Sequence, residues 1–288
     1  MRWLHESILD EARFSIKMPM RFLSTSALRK GWLVVLVCLI FFPGASATFG
    51  QANDRLTPVQ QRIEVQRRRL SSSEVEERRD ALMKLGAMRH PDASRAAISA
   101  LNDPEPSVRV TAAHAIEALP ASEAASALLP LLKDKQELVR REIAHALGAT
   151  RSRSAAPQLI EILTNDKEAA VRAAAAMALG RIGDEAAVVP LVETLSGALA
   201  KKKSKGGDNE FLMRAAAQSL GEIRSRAGVA GLIATLNNDT NPIDVRRAAA
   251  TALGSIGDIT AAPALKAAIA SNDPYLSQTA KEALRRMH

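Results

Sequence analysis

From residue 77 onward the chain repeats itself, and this periodicity restricts the possible folds more than any other feature. Three stretches superpose directly: VRREIAHALGA from Val139, VRAAAAMALGRIGD from Val171 and VRRAAATALGSIGD from Val245. Weaker copies start at Glu77, Val108, Leu212 and Leu276. The anchors 77, 108, 139, 171, 212, 245 and 276 are 31, 31, 32, 41, 33 and 31 residues apart. The single long step contains the stretch Lys201-Lys202-Lys203-Ser204-Lys205-Gly206-Gly207.

With the anchor as position zero, apolar or small residues recur at positions 0, 3, 4, 7, 8 and 11, as in Val171, Ala174, Ala175, Ala178, Leu179 and Ile182. That is the stripe of an amphipathic helix. A glycine at position nine (Gly86, Gly148, Gly180, Gly221, Gly254) falls near the helix end. There it either lets a neighbouring helix approach or helps to stop the turn. A second helix precedes each anchor, with Leu70, Leu101 and Leu132 in its closing slot. The first of these is expected over Pro58–Leu70, with Val59 and Ile63 on one face, and Ser73 and Glu76 have capping-box spacing for the next helix. Pro157, Pro190 and Pro263 stand near helix starts, where a missing N–H costs little. Pro130 falls late in its helix and predicts a kink or early stop.

One helix pair is too small to bury its own apolar face, so stacked neighbours must supply the core. The expected fold is therefore all-α: a right-handed α-solenoid of about seven helical hairpins over residues 57–288. It carries a Lys/Gly-rich loop insertion near 200–209 and a polar cap at Arg285-Arg286-Met287-His288.

Residues 1–47 read as an export signal. Arg29 and Lys30 precede an apolar run from Trp32 to Phe42, followed by Pro43, Gly44 and the small-x-small triplet Ala45-Ser46-Ala47. Cleavage is expected after Ala47, with residues 48–56 as a short linker; an uncleaved signal anchor is the alternative. The expected location is periplasmic or extracellular. The only cysteine, Cys38, lies in this segment, so the exported chain would have no thiol for disulfides, nucleophilic catalysis or thiolate metal sites.

Six of the nine aromatics also precede residue 48, leaving Phe49, Phe211 and Tyr275. Such a body cannot offer stacking platforms for bases, sugars or a conjugated cofactor. Removing the six Lys/Arg and three Asp/Glu of residues 1–47 from the formal +8 leaves +5, too modest to suggest nucleic-acid binding. No cofactor is expected.

The string V-R-x-x-A-A-x-A-L-G-x-I-G-D resembles the HEAT repeats, specifically the short HEAT-like repeats also seen in phycobilin lyases and deoxyhypusine hydroxylase, across roughly residues 57–288. The resemblance implies that the anchor helices line a concave, partner-binding surface. Arg109, Arg140, Arg172 and Arg246 follow Asp103, Asp134, Asp166 and Asp239 by six or seven residues, so each guanidinium can reach back over the turn. The resemblance implies that these pairs form a structural ladder. Met213 takes the arginine slot of the fifth copy and predicts a break there.

Positions two and six point away from the buried stripe and supply the candidate partner-binding residues: Arg79, His114, Arg141, His145, Met177, Arg214, Gln218, Arg247 and Thr251. Arginine forks in this column suit an acidic or extended peptide. His114 and His145 occupy position six of adjacent copies, but helices packed ~8–10 Å apart place them poorly for sharing a metal ion. Lys201, Lys202, Lys203 and Lys205 could touch an acidic partner or anionic surface weakly.

Deoxyhypusine hydroxylase places His-Glu iron-binding pairs at positions two and three. Here those positions read Arg79-Asp80, Val110-Thr111, Arg141-Glu142, Ala173-Ala174, Arg214-Ala215 and Arg247-Ala248, with no such pair. The expectation is an exported, non-catalytic scaffold that binds a protein or peptide. A HEAT-fold enzyme, either a hydroxylase-like oxidoreductase or a bilin lyase, is the alternative.

Overall fold

The computed structural model describes residues 56–197 and 206–287, and all regular structure within them is helical. The helices form seven hairpins: α1 (Pro58–Arg69) with α2 (Val75–Ala87), α3 (Pro91–Ala97) with α4 (Pro106–Ala115), α5 (Ala121–Leu128) with α6 (Glu137–Thr150), and α7 (Ala156–Asn165) with α8 (Ala169–Ile182). Then come α9 (Val188–Leu195) with α10 (Gly206–Ile223), α11 (Val229–Asn237) with α12 (Ile243–Ile256), and α13 (Ala262–Ile269) with α14 (Pro274–Arg285). The architecture is an α-solenoid, and every anchor lies in an even-numbered helix. Among the described residues no helix is long and apolar enough to cross a membrane. The expected export signal, including Ala45 and Ala47, and Lys201, Lys202, Lys203 and Lys205 lie outside the described residues.

The stripe read from the sequence forms the core. Val108, Val139, Val171 and Val245 at position zero, the residues from Ala81 to Ala280 at position four, and Leu85, Ile116, Leu147, Leu179 and Leu253 at position eight are completely buried. Burial of each such leucine contributes roughly 1.5–3 kcal/mol, and the area is covered mainly by the next hairpin in the stack. Position three behaves differently along the chain. It is Asp80, Thr111 and Glu142, partly exposed, in the first three copies, and buried Ala174, Ala215 and Ala248 in the next three.

The position-nine glycines serve close approach. A Cβ on Gly148 would lie 2.7 Å from the Cα of Ala178, and one on Gly254 would lie 2.7 Å from the Cα of Ala283. Gly86, Gly180 and Gly221 face Ala115, Ser219 and Ala252 in the same way. Termination falls instead to the residue three further on, where Gly183 and Gly257 take left-handed backbone (φ 71 and 75) and close their helices onto Leu179 and Leu253. Two buried hydroxyls tie helices together: Ser94 of α3 donates to the Ala115 carbonyl of α4 (2.7 Å) within one hairpin, and Ser219 of α10 donates to the Ala176 carbonyl of α8 (2.8 Å) between successive even helices. Successive even helices are in much closer contact than successive odd ones, and a stack bends toward its tighter layer, which puts the even helices on the inner side.

Two local expectations need correction, and a third is met with a broader cause. The capping box at Ser73 and Glu76 does not form: Glu74 is the N-cap of α2 without a side-chain bond, and Ser72 instead accepts from the Glu74 amide and donates to Glu77. The capping box that forms is Thr57 with Gln60, at the start of α1. The second half of the expected loop insertion is helical, because α10 begins at Gly206. Once Phe211–Ile223 is helical, each further residue incurs only the propagation cost, which lets even two glycines join. At Pro130 the α-helix does end early, at Leu128, and continues to Lys133 as a 3-10 turn. However, α3 passes into a 3-10 turn over Ile98–Asn102 with no proline there, so the proline is not the sole cause.

Candidate functional site

The arginine–aspartate ladder exists, but its rungs connect neighbouring repeats. Arg109 donates to the Asp134 carboxylate (2.9 and 3.0 Å), and Arg140 donates to that of Asp166 (2.7 and 3.1 Å). Arg78, absent from the expected set, does the same to Asp103 (2.7 and 2.8 Å). Each arginine still reaches back over its own turn, but to carbonyls: Arg109 to Asp103, Arg140 to Asp134, and fully buried Arg172 to Asp166 and Lys167. Each aspartate also accepts from the amide two residues on, which shapes the turn into the next even helix. Burial opposes ionisation of Asp103, but Arg78 and the Glu105 amide outweigh it and hold the carboxyl below its usual range.

After the insertion the pattern shifts. Arg246 pairs with Asp239 (2.7 Å) as the spacing predicted, and donates to the Leu236 carbonyl. The inter-repeat rung passes to Arg247, which grips Asp273 (3.1 and 2.6 Å) and also Asp244 (2.6 Å). In the fifth copy Met213 packs against the core, and Arg214 lies 3.8 Å from Asp244.

Several residues of the expected partner-binding column have partners within the chain. Arg247 is an occupied ladder residue, Arg79 is held by Glu76 and Arg141 by Glu142. Met177 packs on the core. His114 is exposed, 3.2 Å from Glu117 and 3.8 Å from Glu142. His145 is half-buried, and burial lowers its pKa; Glu142 opposes the shift and Arg181 adds to it. Among the described residues no group of three or more His, Cys, Asp or Glu is placed to hold a metal ion. Gln218 and Thr251 remain exposed as expected.

Both of them line a groove between α10 and α12. A depression of about 870 Å³ is walled by residues including Gly180, Gln218, Glu222, Ala248, Thr251 and Ser255. A smaller one, about 360 Å³, continues it past Arg214, Asp244 and Arg247, sharing Gln218, Ala248 and Thr251. Ala248, at position three of its copy, lines both depressions, where the early copies carry larger polar side chains. Beside the smaller depression stand two exposed rings, Phe211 with the Arg214 guanidinium 5.7 Å from its centroid and Tyr275 with that of Arg247 at 5.1 Å.

Three further arginines line the other end: Arg151, Arg181 and Arg224, at the C-terminal ends of α6, α8 and α10. All are exposed, and none makes an ion pair among the described residues. Sequence reasoning missed them, although a signal was present. Arg151 and Arg224 occupy position twelve, where the repeat string has glycine, and both keep the left-handed backbone of that slot (φ 53 and 58). Arg89 does so as well at the end of α2, away from the groove, so this backbone alone does not mark the site.

The HEAT-repeat family model matches residues 64–148, 125–198 and 205–285. Among solved structures, human deoxyhypusine hydroxylase in complex with glycerol is similar at 19% identity, covering 79% of this chain and 96% of that one, with a TM-score of 0.40. The complex of CpcE and CpcF of phycocyanin lyase from a Nostoc species is similar at 24% identity, covering 85% and 92%, with a TM-score of 0.48. An engineered protein is similar at 19%, covering 78% and 96%, with a TM-score of 0.35. These likenesses concern fold alone, and no curated protein matches the chain by sequence. Matched over most of its length and built of stacked helical hairpins, the chain belongs to the HEAT-repeat family.

Proposed function

We propose that this protein is an exported, non-catalytic scaffold that binds another protein or an extended peptide along the inner face formed by its even helices. The observation that carries this reading is the open groove between α10 and α12, whose lining side chains come from several repeats and project amide, hydroxyl and guanidinium groups rather than a convergent acid–base set. A shallow, multi-helix groove of this kind suits a chain laid across it. The pairs at positions two and three supply no His-Glu motif, which weighs against the hydroxylase-like alternative.

The reading is tested by placing a photo-crosslinking amino acid at Gln218 or Thr251 in cells, and at outward-facing Lys266 as control. Crosslinks to one partner from the groove positions and not from Lys266 are expected; equal or absent crosslinking at all three overturns the binding face. Recovery of the product from a cytoplasmic rather than an exported fraction overturns export. Stoichiometric iron in purified protein would replace the scaffold reading with the oxidoreductase.

A further inference from the structure

The groove has two chemically different ends. Phe211 and Tyr275 stand at one end, and Arg151, Arg181 and Arg224 at the other. From Phe211 to Arg224 along α10 is about 20 Å at 1.5 Å per helical residue, a span that roughly six extended peptide residues cover. Within the cationic end only Glu222 is acidic, so three guanidinium groups face one carboxylate.

A cation near a helix C-terminus has a structural explanation, because the helix dipole favours it by about 0.3–1 kcal/mol. Left-handed backbone at a residue with a side chain costs a similar amount or more, and the same slot holds glycine in α8 and α12. The two effects oppose each other at Arg151 and Arg224, whereas Arg181, inside α8, has the dipole term alone. Neither effect explains why three arginines without an ion pair among the described residues converge on one groove from three successive even helices, while Arg214 and Arg247 beside it, like Arg79 and Arg141 in the early hairpins, are matched with acids.

We infer that Arg151, Arg181 and Arg224 form the anchoring subsite of the groove, and that its occupant is an acidic peptide segment whose carboxylates these three guanidinium groups hold. This inference rests on the binding reading above and specifies its ligand. Planar guanidinium groups match carboxylates in bidentate geometry, and placing them at one end fixes the direction of the bound segment. A nucleic-acid strand fits less well, since it needs cationic groups along its whole length and rings on which to stack, and the two rings here lie at the opposite end.

The test measures fluorescence polarisation of a labelled oligo-glutamate peptide, its glutamine counterpart and a labelled oligothymidylate at physiological salt. Besides the native protein it uses the combined variant Arg151→Gly, Arg181→Gln, Arg224→Gly and the control Arg89→Gly. Glycine suits the left-handed backbone at three of these sites, so the variants keep the fold, which circular dichroism checks. The glutamate peptide should bind at least about tenfold more tightly than its glutamine counterpart. The combined variant should lose about tenfold, and Arg89→Gly should lose nothing. The inference is overturned by equal binding of the two peptides, by undiminished binding to the combined variant, by an equal loss in Arg89→Gly, or by tighter binding of the oligothymidylate. If any of these occurs while crosslinking at Gln218 persists, the subsite fails and the binding face stands; if crosslinking also fails, both fall.

Discussion

The first three hairpins and the hairpins around α10 and α12 are built from the same repeat, yet their inner faces differ. In the early copies position three is Asp80, Thr111 or Glu142, and ion pairs occupy the inner surface: Arg69 and Lys84 on Asp80 (2.6 and 2.8 Å), Arg141 on Glu142 (3.1 Å), and His114 close by. In the later copies that position is Ala215 or Ala248, and Ala248 lines the groove. The ladder differs as well. Arg78, Arg109 and Arg140 at position one bridge to the next hairpin in the early part, whereas Arg247 at position two does so in the later part. The same repeat thus carries a charge-matched face in one part and an open groove in another, with no change of fold.

The largest test of this contrast removes a ladder arginine from each part. The side chains of Arg140 and Asp166 are only 8% and 6% exposed, so Arg140→Ala leaves a nearly buried carboxylate and should cost about 3 kcal/mol. In urea denaturation this should exceed the loss from Arg247→Ala, whose pair is more open at 28% and 22%. Equal losses would mean that burial does not set the strength of the rungs. Hydrogen exchange should place the Arg140→Ala loosening mainly at the interface of α6 and α8, since stability in a stack is passed between neighbours.

A smaller effect is expected from Gly148→Ala. Alanine gains about 1 kcal/mol of helix propensity, but its Cβ would sit 2.7 Å from the Cα of Ala178, and overpacking against backbone costs about 1–3 kcal/mol. A net loss of roughly 1 kcal/mol should appear as a lower denaturation midpoint; a gain would show that α6 and α8 can separate freely.

The smallest effect is one of pH. His145 sits beside Glu142 on the charge-matched face, and burial holds its folded pKa below the ordinary 6.5. The unfolded chain therefore takes up the proton first. Stability is fully present above the unfolded value and declines as pH falls from there toward the lowered folded value. Urea midpoints compared between about pH 7.5 and pH 5 should show a shallow decline that His145→Gln removes. An unchanged slope in that variant would assign the titration elsewhere.

Much of this was legible in the residues. The hairpin count, the buried stripe and the glycine slot follow from a helical period repeated at a near-constant interval, because which residues share a helix face is a local property of the backbone. The ladder was half legible. Spacing of six or seven residues identified the reach of Arg109 and Arg140 over their own turns, but the carboxylates they grip lie 25 and 26 residues ahead, in the next repeat. The partner-binding column was read from position alone, and position cannot tell a free arginine from one already paired, as Arg247 is with Asp273. The arginines at position twelve went unread because they break the pattern that made the repeat visible.

The sequence by itself therefore determined the unit, its number of copies and the faces that must be buried, since these rest on short-range periodicity and the need to cover apolar surface. Only the tertiary structure decided which aspartate meets which arginine, where the inner face closes or opens, and that Arg151, Arg181 and Arg224 share one groove. Those outcomes depend on how far successive hairpins slide and rotate against each other, a distance set by packing at contacts such as Gly148 on Ala178 rather than by any single repeat.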